Sequence, residues 1–335
     1  MFLSTDPKTL PLSPQDLIRG TVLTLGNFDG VHPGHQALIS RTVSLAREKG
    51  VPSIAVTFDP HPVRVLKGDA APAQLLTLQN KLEYLDDLGL DLTLTLPFTP
   101  ATAAMEAEDF VRVILCESLR ARCLVLGYDY AFGRGRRGNA SLLADMGKEL
   151  GFGIEETPAL RLGKKIVSST LVREALLAGK VREGAFLLGR HYFVQGTVES
   201  GERRGGSLLG FPTANLRLEE NILLPKKGVY AVLAEINPSP AALGNTFVNA
   251  IKGVANVGTN PTFGGNALRL ETHLLDFDAD IYGSPMRVHF IERLRDERKF
   301  PGADELLRQI RLDAVKAGKI ASSRLDADKG QENSC

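Results

Sequence analysis

Two histidines in a glycine-rich stretch are the side chains of this sequence best suited to phosphate chemistry. His32 and His35 stand three residues apart at the end of the segment Gly26 to His35, which has further glycines at positions 30 and 34. Imidazoles can donate hydrogen bonds to phosphate oxygens as negative charge develops on them. Glycines let the backbone approach a ligand closely or adopt positive φ. The stretch predicts a phosphate-binding turn, and a tight connection without a ligand is the alternative.

The residues on either side of this turn predict the elements that hold it. The apolar run Thr21 to Leu25 is typical of a strand, and a helical pattern runs from Gln36 to Lys49. The first turn of such a helix has N–H groups without intrahelical partners, which favour an anion. A metal site is a weaker interpretation, because no third His, Cys or carboxylate lies at ligand spacing within the turn.

Two later loops follow predicted strands, where open parallel sheets bind their ligands. The strand Ser53 to Phe58 runs into Asp59-Pro60-His61-Pro62, whose prolines stop the strand and stiffen the segment. The strand Cys123 to Gly127 opens into residues 128–138, where aromatic rings can stack on a flavin or adenine and an Asp can accept hydrogen bonds from hydroxyls. The alternatives are a stiff surface loop and a solvated basic loop carrying arginines at 134, 136 and 137.

A hydroxyl-rich helix start is the last candidate of the first half. Ser168, Ser169 and Thr170 precede a helical pattern that reaches Leu177. Helix N-capping is the ordinary explanation for them. Hydroxyls and helix N–H groups also form an anion site, and Arg173 lies one turn further on, where its guanidinium could clamp a phosphate.

Repeated strand and helix patterns in the first half predict a parallel sheet covered by helices on both faces. An irregular lead-in is expected at residues 1–18. Short strands punctuated by Gly or Pro in the second half predict an antiparallel β-barrel, covered by a final helix from Ala303 to Lys316. The fold class is α/β plus β. We expect a first domain at residues 1–180, a linker at 181–190, a barrel domain at 191–320 and a disordered tail at 321–335.

The segment His32-Pro33-Gly34-His35 resembles the HxGH signature of the nucleotidylyltransferase superfamily, whose members transfer a nucleoside monophosphate and release pyrophosphate. With Gly-Asn-Phe-Asp-Gly-Val directly before it, the turn is similar to the amino-terminal half of the bacterial bifunctional riboflavin kinases and FAD synthetases. The family's Ser-Ser-Thr-x-x-Arg segment matches residues 168–173. The resemblance implies a Rossmann-like domain in which the phosphate of FMN attacks the α-phosphorus of ATP, giving FAD and pyrophosphate.

The resemblance also implies roles for individual residues. A phosphate is already ionised near neutral pH, so the reaction needs alignment and charge stabilisation rather than a general base. The implied catalytic residues are His32, His35 and Arg173. The implied ATP and phosphate contacts are Gly26, Asn27, Phe28, Gly34, Ser168, Ser169 and Thr170. The implied flavin contacts are Asp59, His61, Tyr128, Asp129 and Phe132.

In the second half, the segment Gly210-Phe211-Pro212-Thr213-Ala214-Asn215-Leu216 resembles the Pro-Thr-Ala-Asn motif of riboflavin kinases. Considered alone, it would be a turn between strands. The resemblance implies that Thr213 and Asn215 offer hard oxygen ligands to Mg²⁺, while Gly210 and Pro212 contact ATP.

Glu271 matches the family's catalytic base. Without that context, a strand glutamate at a barrel edge would simply face solvent. The kinase reaction must remove a proton from the weakly acidic 5′-hydroxyl of riboflavin, so a positioned carboxylate has a defined task. The chain departs from the family at Ser207, where a basic residue is common, and Arg203 and Arg204 are the nearby charges.

Composition limits the other function classes. The chain has 335 residues, 43% of them hydrophobic, and a net charge of +1. It lacks the basic field that nucleic acids require and any apolar run of signal-peptide or membrane-spanning length, so we expect a cytoplasmic protein without nucleic-acid or membrane partners. Cys116, Cys123 and Cys335 form no paired motif and are expected to be free thiols.

The resemblance extends from about Gly20 to Leu312 and implies a bifunctional enzyme. Riboflavin and ATP give FMN in the barrel, and FMN and ATP then give FAD in the α/β domain. Riboflavin, FMN and ATP are the expected substrates, Mg²⁺ the expected cofactor, and weak self-association is left open. The alternatives are a single-activity kinase or adenylyltransferase and a non-catalytic flavin-binding regulator. An RNA-binding barrel is disfavoured by the near-neutral charge.

Overall fold

The computed structural model describes residues 1–199, 211–240, 247, 249–259 and 268–332. The chain divides into two compact units, Met1–Ser168 and Ser169–Cys335. The first unit thus ends twelve residues before the domain end predicted at residue 180. The reason is that the helix after Ser168 packs within the second unit, where the N–H of Lys226 donates to the carbonyl of Leu176 over 3.0 Å.

The first unit is built on a six-stranded sheet in the order β1-β4-β3-β2-β5-β6, with every neighbouring pair parallel. The central strands are buried on both faces, which explains why they consist mainly of apolar residues and threonine. The strands are β1 Phe2–Ser4, β2 Thr21–Leu25, β3 Ser53–Asp59, β4 Leu92–Pro97, β5 Ala121–Gly127 and β6 Gly153–Thr157. A two-stranded hairpin follows, β7 Arg161–Leu162 and β8 Lys165–Ile166.

Helices connect these strands, as the alternating pattern predicted. They are α1 Pro14–Arg19, α2 Pro33–Lys49, α3 Pro62–Lys67, α4 Leu78–Asp87, α5 Pro100–Ala104, α6 Ala107–Asp109 and α7 Ala140–Leu150. A π-helix, Phe110–Ser118, continues α6.

The strand order places a switch point between β2 and β5. From β2 the chain moves outward through β3 and β4 on one side, and from β5 it moves through β6 on the other. Ligands bind in the crevice outside the carboxyl ends of the strands at such a point. Because the histidine turn follows β2 and residues 128–138 follow β5, the two loops leave the same edge of the sheet from neighbouring strands.

The predicted irregular lead-in at residues 1–18 is wrong. Phe2–Ser4 pairs with β4, and the N–H of Phe2 donates to the carbonyl of Asp91 over 2.9 Å. Helix α1 begins at a capping box, in which the side chains of Ser13 and Asp16 exchange hydrogen bonds with each other's backbone N–H. Both elements are shorter than the patterns that periodicity can detect.

The second unit contains a closed antiparallel barrel in the order β10-β13-β12-β11-β14-β9, which confirms the predicted fold class. Its strands are β9 Phe193–Glu199, β10 Ala214–Leu218, β11 Gly228–Ile236, β12 Ile251–Thr259, β13 Leu268–Leu274 and β14 Pro285–Arg295. Two helices precede the barrel, α8 Ser169–Leu177 and α9 Val181–Leu188. Strand β10 is an addition to the predicted set, since its segment looked like a turn.

The terminal helix, α10 Ala303–Glu332, extends well beyond the predicted end at Lys316. It therefore occupies residues 321–332, which the sequence had assigned to a disordered tail. The physical reason is tertiary packing: Ala321 is fully buried against Leu233 and Ile291 of the barrel, and Leu325 packs on the same cluster. Within the described residues, no helix has the length and apolar character needed to cross a membrane.

Candidate functional site

The turn after β2 has an unusual backbone. Phe28 and Val31 adopt positive φ values of 49° and 36°, although neither is glycine, and Gly30 has φ 82°. Non-glycine residues rarely adopt this region, and such strain persists only where the surroundings enforce it. Here Phe28 is 1% exposed and Val31 is fully buried, so packing holds both residues in place. The turn is therefore a fixed structure before any ligand binds.

The two predicted histidines are stacked on each other. Their ring centroids lie 3.6 Å apart, with an angle of 16° between the planes. His32 is the N-cap residue of α2, and its Nδ1 accepts a hydrogen bond from the backbone N–H of His35 over 3.3 Å. Since Nδ1 is the acceptor, the proton of a neutral His32 imidazole is on Nε2. His32 thus has a fixed donor beside the positive end of a 17-residue helix.

Gly34 is required by the position of the His32 ring. A Cβ atom at Gly34 would lie 3.2 Å from both Cε1 and Nδ1 of His32. Gly26 has a similar role, because a Cβ there would meet the Phe28 ring at 2.9 Å. The glycines of the motif therefore make room for side chains of the turn itself, in addition to any ligand.

A small cavity brings three of the predicted residues together. Asn27, Asp59 and His61 line it, and the sequence had assigned the first to ATP and the other two to the flavin. His61 is the N-cap residue of α3, with its Nδ1 accepting from the N–H of Val63 over 3.2 Å. The same cavity is lined by Asp29 and Lys81, for which the sequence analysis had proposed no role.

Lys81 is the clearest site residue that sequence reasoning missed. Its side chain lies on the buried face of α4 and is 8% exposed. Burial lowers the pKa of the Lys81 ammonium, while the carboxylates of Asp29 and Asp59 act against that shift. The sequence did contain a signal that Lys81 is buried. It precedes the apolar residues Tyr84 and Leu85 by three and four positions, so it lies on the same, buried face of the helix.

The loop after β5 contains both exposed and buried aromatic residues. Tyr128 is 48% exposed and Asp129 is also exposed, so both are accessible to a ligand. Phe132 is instead part of the core, 5.7 Å from Phe110 between ring centroids and 5.5 Å from Tyr130. Because the Phe132 ring is packed in the core, a flavin could touch only an edge of it. The flavin contact at Phe132 stays a prediction.

Two arginines of this loop are tied to a carboxylate. Nη1 of Arg134 lies 3.0 Å from Oε1 of Glu106, and Nη1 of Arg137 lies 4.0 Å from Oε2. Both guanidinium groups are largely exposed, so these ion pairs contribute little to stability.

Helix α8 begins at Ser169, at the predicted hydroxyl-rich segment. Ser168 and Ser169 are half-buried, Thr170 is exposed, and Arg173 is half-buried one turn into the helix. The helix therefore begins where the sequence placed its N-terminus.

In the barrel unit, three polar residues form a row across neighbouring strands. Glu271 of β13 is the direct cross-strand partner of Asn215 on β10 and of Asn256 on β12. Directly opposed residues of antiparallel strands share a face, with Cβ atoms about 4.5–5.5 Å apart. All three are half-buried. Asn256 lies in a segment that the sequence analysis did not assign to the site, and its Nδ2 donates to Oε1 of Glu297 over 3.4 Å.

Two cavities lie on these strands, and only the first is lined by residues of the row. The first, of about 290 Å³, is lined by Asn256, Gly258, Thr259, Arg269 and Glu271. The second, of about 270 Å³, has Pro212, Thr213 and Thr272 in its lining. The backbone carbonyl of Pro212 lies 2.8 Å from Nδ1 of His273, which anchors the start of β10. Gly210, Arg203, Arg204 and Ser207 lie outside the described residues.

The side chains of the barrel differ in the metal ions that they could bind. Across the described ranges, no group of three or more His, Cys, Asp or Glu side chains could hold a metal ion. Thr213 and Asn215 instead offer a hydroxyl and an amide oxygen, two residues apart at the start of β10. Hard oxygen donors in small number suit Mg²⁺, which usually keeps several waters and binds substrate phosphates.

Two family models match separate parts of the chain. The family model described as FAD synthetase matches residues 15–171, and the model described as riboflavin kinase matches residues 188–321. A bifunctional riboflavin kinase/FMN adenylyltransferase of Escherichia coli strain K12 is 39% identical over 308 residues, covering 92% of this chain and 94% of its own. The protein of the same description from Bacillus subtilis strain 168 is 35% identical, covering 90% and 93%.

A solved structure has a similar fold over both units. It is titled a macrolide-efflux protein from Streptococcus pneumoniae and is 30% identical, with a TM-score of 0.79. The match covers 93% of this chain and 96% of that one.

Proposed function

Because this chain belongs to the family of bifunctional riboflavin kinases/FMN adenylyltransferases, we propose that the histidine turn and the polar row of the barrel are its two reaction sites. The enzyme phosphorylates riboflavin to FMN with ATP, and it adenylylates FMN with a second ATP to give FAD and pyrophosphate. The observation that carries the proposal is the cross-strand register of Glu271 with Asn215.

In the adenylyl transfer, the chain has to align two phosphates and stabilise charge. The FMN phosphate is the nucleophile and is already ionised, so no residue needs to remove a proton. His32 supports this role through its fixed Nε2–H donor at the start of α2. His35, stacked on it, is the second proposed donor.

The remaining contacts for this reaction are proposed on chemical grounds. Ser168, Ser169 and Thr170 offer hydroxyls around the first turn of α8, and Arg173 offers a guanidinium that suits a phosphate. For the flavin, the exposed ring of Tyr128 and the cavity residues Asp59 and His61 are the proposed contacts.

In the kinase reaction, the chain has to remove a proton from the 5′-hydroxyl of riboflavin. Glu271 is the proposed general base, because its carboxylate is half-buried beside a cavity of about 290 Å³. The amides of Asn215 and Asn256 flank it on the same face of the barrel. These neighbours carry no negative charge that would compete for the proton.

Mg²⁺ is the proposed cofactor of both reactions. In the barrel, Thr213, which lines the second cavity, and Asn215, two residues further on, would hold it together with the phosphates of ATP. Bound there, the ion would neutralise charge on the transferring phosphoryl group. We also propose the cytoplasm, where ATP is supplied, as the compartment, and a protein that works without nucleic-acid or membrane partners.

A chromatographic time course tests the two half-assignments together. Purified protein is mixed with riboflavin, ATP and Mg²⁺, and FMN and FAD are followed separately. We expect FMN first and FAD after it. Formation of FMN without FAD would contradict the assignment of adenylylation to the histidine turn. Flavin binding without consumption of ATP would favour a regulator.

A further inference from the structure

We propose that Lys81 is a positioning residue for adenylylation, which holds the histidine turn against the end of β3. The inference rests on the proposed assignment of this turn to adenylyl transfer. Lys81 itself belongs to α4, a helix that contributes none of the residues assigned above.

The contacts of Lys81 join two loops of the sheet edge. Its Nζ donates to the hydroxyl of Thr57 over 3.1 Å and to the carbonyl of Asn27 over 3.4 Å. The Thr57 hydroxyl also donates to the same Asn27 carbonyl, over 3.5 Å. One carbonyl of the turn is therefore held from two sides, by α4 and by β3.

That carbonyl stands at the start of the strained segment. Asn27 directly precedes Phe28, the first of the two non-glycine residues with positive φ. Asp29, next in the chain, is held from another direction, since its two carboxylate oxygens accept from the N–H of Leu75 over 3.0 and 3.2 Å. Two contacts thus anchor the backbone that leads to His32. Lys81 holds the residue just before the segment with positive φ, and Leu75 holds a residue inside that segment.

Stability alone does not explain a lysine here. Moving an ammonium group out of water is costly, and a buried ion can often be replaced by an apolar residue of similar volume without loss of stability. Buried titratable groups in a cavity at the edge of a sheet are instead common at functional sites. Lys81 lines such a cavity together with Asp29, Asp59 and His61, the charged or titratable groups that face it.

The test uses the full chain and measures FAD formation from supplied FMN and ATP. Lys81→Met keeps the length of the side chain but removes the donor and the charge. We expect kcat to fall on the order of tenfold to a hundredfold, as for a displaced reacting group, with KM for FMN changed less than about threefold. Lys49→Met, at an exposed position in the last turn of α2, is the matched control and should keep wild-type rates.

A pH profile separates positioning from a purely structural role. Lys81 carries the one amine among the residues that line this cavity, so loss of its proton should appear in the alkaline range. Wild-type FAD formation should decline there, since the neutral amine is a weaker donor to Asn27. In Lys81→Arg the guanidinium stays protonated, and that decline should disappear.

If Lys81→Met does not fold, Thr57→Val is a second variant that tests the same hydrogen-bond network. It removes the hydroxyl partner of Lys81 while keeping side-chain volume, and it should also lower kcat for FAD. Wild-type rates in Thr57→Val, or in a folded Lys81→Met, would overturn the inference. Absence of FAD formation in the wild type would instead overturn the proposed function, so the two failures are distinguishable.

Discussion

Asn215 and Glu271 face each other directly across the antiparallel pair of β10 and β13. The two residues stand 56 positions apart in the chain, and each has a different proposed task, metal binding for the amide and proton removal for the carboxylate. Their register puts both tasks at one place on the barrel surface. A residue on the far side of Asn215, Glu199 of β9, is also in register with it and offers a matched comparison.

Glu271→Gln should abolish most riboflavin phosphorylation. The amide keeps the shape of the side chain but cannot accept the proton, so FMN formation should fall on the order of a hundredfold or more. FAD formation from supplied FMN should continue, because Glu271 is not among the residues proposed for adenylylation. Glu199→Gln is the control, since that carboxylate is about half exposed and ion-paired with Arg217 at 3.4 Å. Equal loss in the two variants, or equal loss of both activities, would reject Glu271 as the base.

Gly34→Ala should impair adenylylation selectively. The new Cβ would lie 3.2 Å from two atoms of the His32 ring, so the ring must move and its Nε2–H donor with it. We expect FAD formation to fall roughly tenfold to a hundredfold, with FMN formation unchanged. Gly153→Ala, at the start of β6 in the same unit, is the control, because the nearest atom to its Cβ would be the Cys123 Sγ at 3.8 Å. Unchanged FAD synthesis in Gly34→Ala would contradict a fixed His32.

The local parts of this architecture could be predicted from sequence. Strand β2 is a short run of strand-forming residues bounded by glycine, and the segment of α2 has a helical pattern, so the turn between them was found together with its histidines. Strand β10 was not found, because Pro-Thr-Ala-Asn has the composition of a turn. It is a strand because Ala214 and Leu216 alternate into the barrel core while Asn215 pairs with its neighbours.

Contacts between distant segments could not be predicted in this way. Nothing in the residues around Lys81 indicates that its ammonium reaches a carbonyl 54 positions earlier. The same holds for the end of α10, where a polar sequence is helical because Ala321 is buried against the barrel. In both cases tertiary packing determines the outcome, and local propensity carries little of that information.

Removal of Mg²⁺ should stop both reactions. With a chelator present, neither FMN nor FAD should form, and added Mg²⁺ should restore both, since each reaction transfers a charged group from ATP. Thr213→Val separates the two sites. It should raise the Mg²⁺ concentration needed for half-maximal FMN formation, on the order of tenfold, and leave the requirement of FAD formation unchanged. A Thr213→Val enzyme with the wild-type Mg²⁺ dependence in both reactions would exclude this hydroxyl as a ligand.

Acidification should destabilise the barrel unit. Burial lowers the pKa of the His191 imidazole to about 4 and also lowers the pKa of His289. Between the lowered pKa of His191, about 4, and the ordinary value of 6.5, the unfolded chain binds more protons than the folded one, so the stability present above about pH 6.5 is lost as the pH falls towards 4. His191 alone should contribute about 2 kcal/mol of this loss between pH 7 and pH 5.

Calorimetry of the full chain at pH 7, 6 and 5 measures this effect. We expect the unfolding temperature of the barrel transition to fall by roughly 5 °C over that range. His191→Phe cannot titrate and keeps a ring beside Phe247, whose centroid lies 5.8 Å from that of His191, so its unfolding temperature should depend less on pH. Identical pH dependence in the wild type and His191→Phe would mean that His191 is not held neutral by burial.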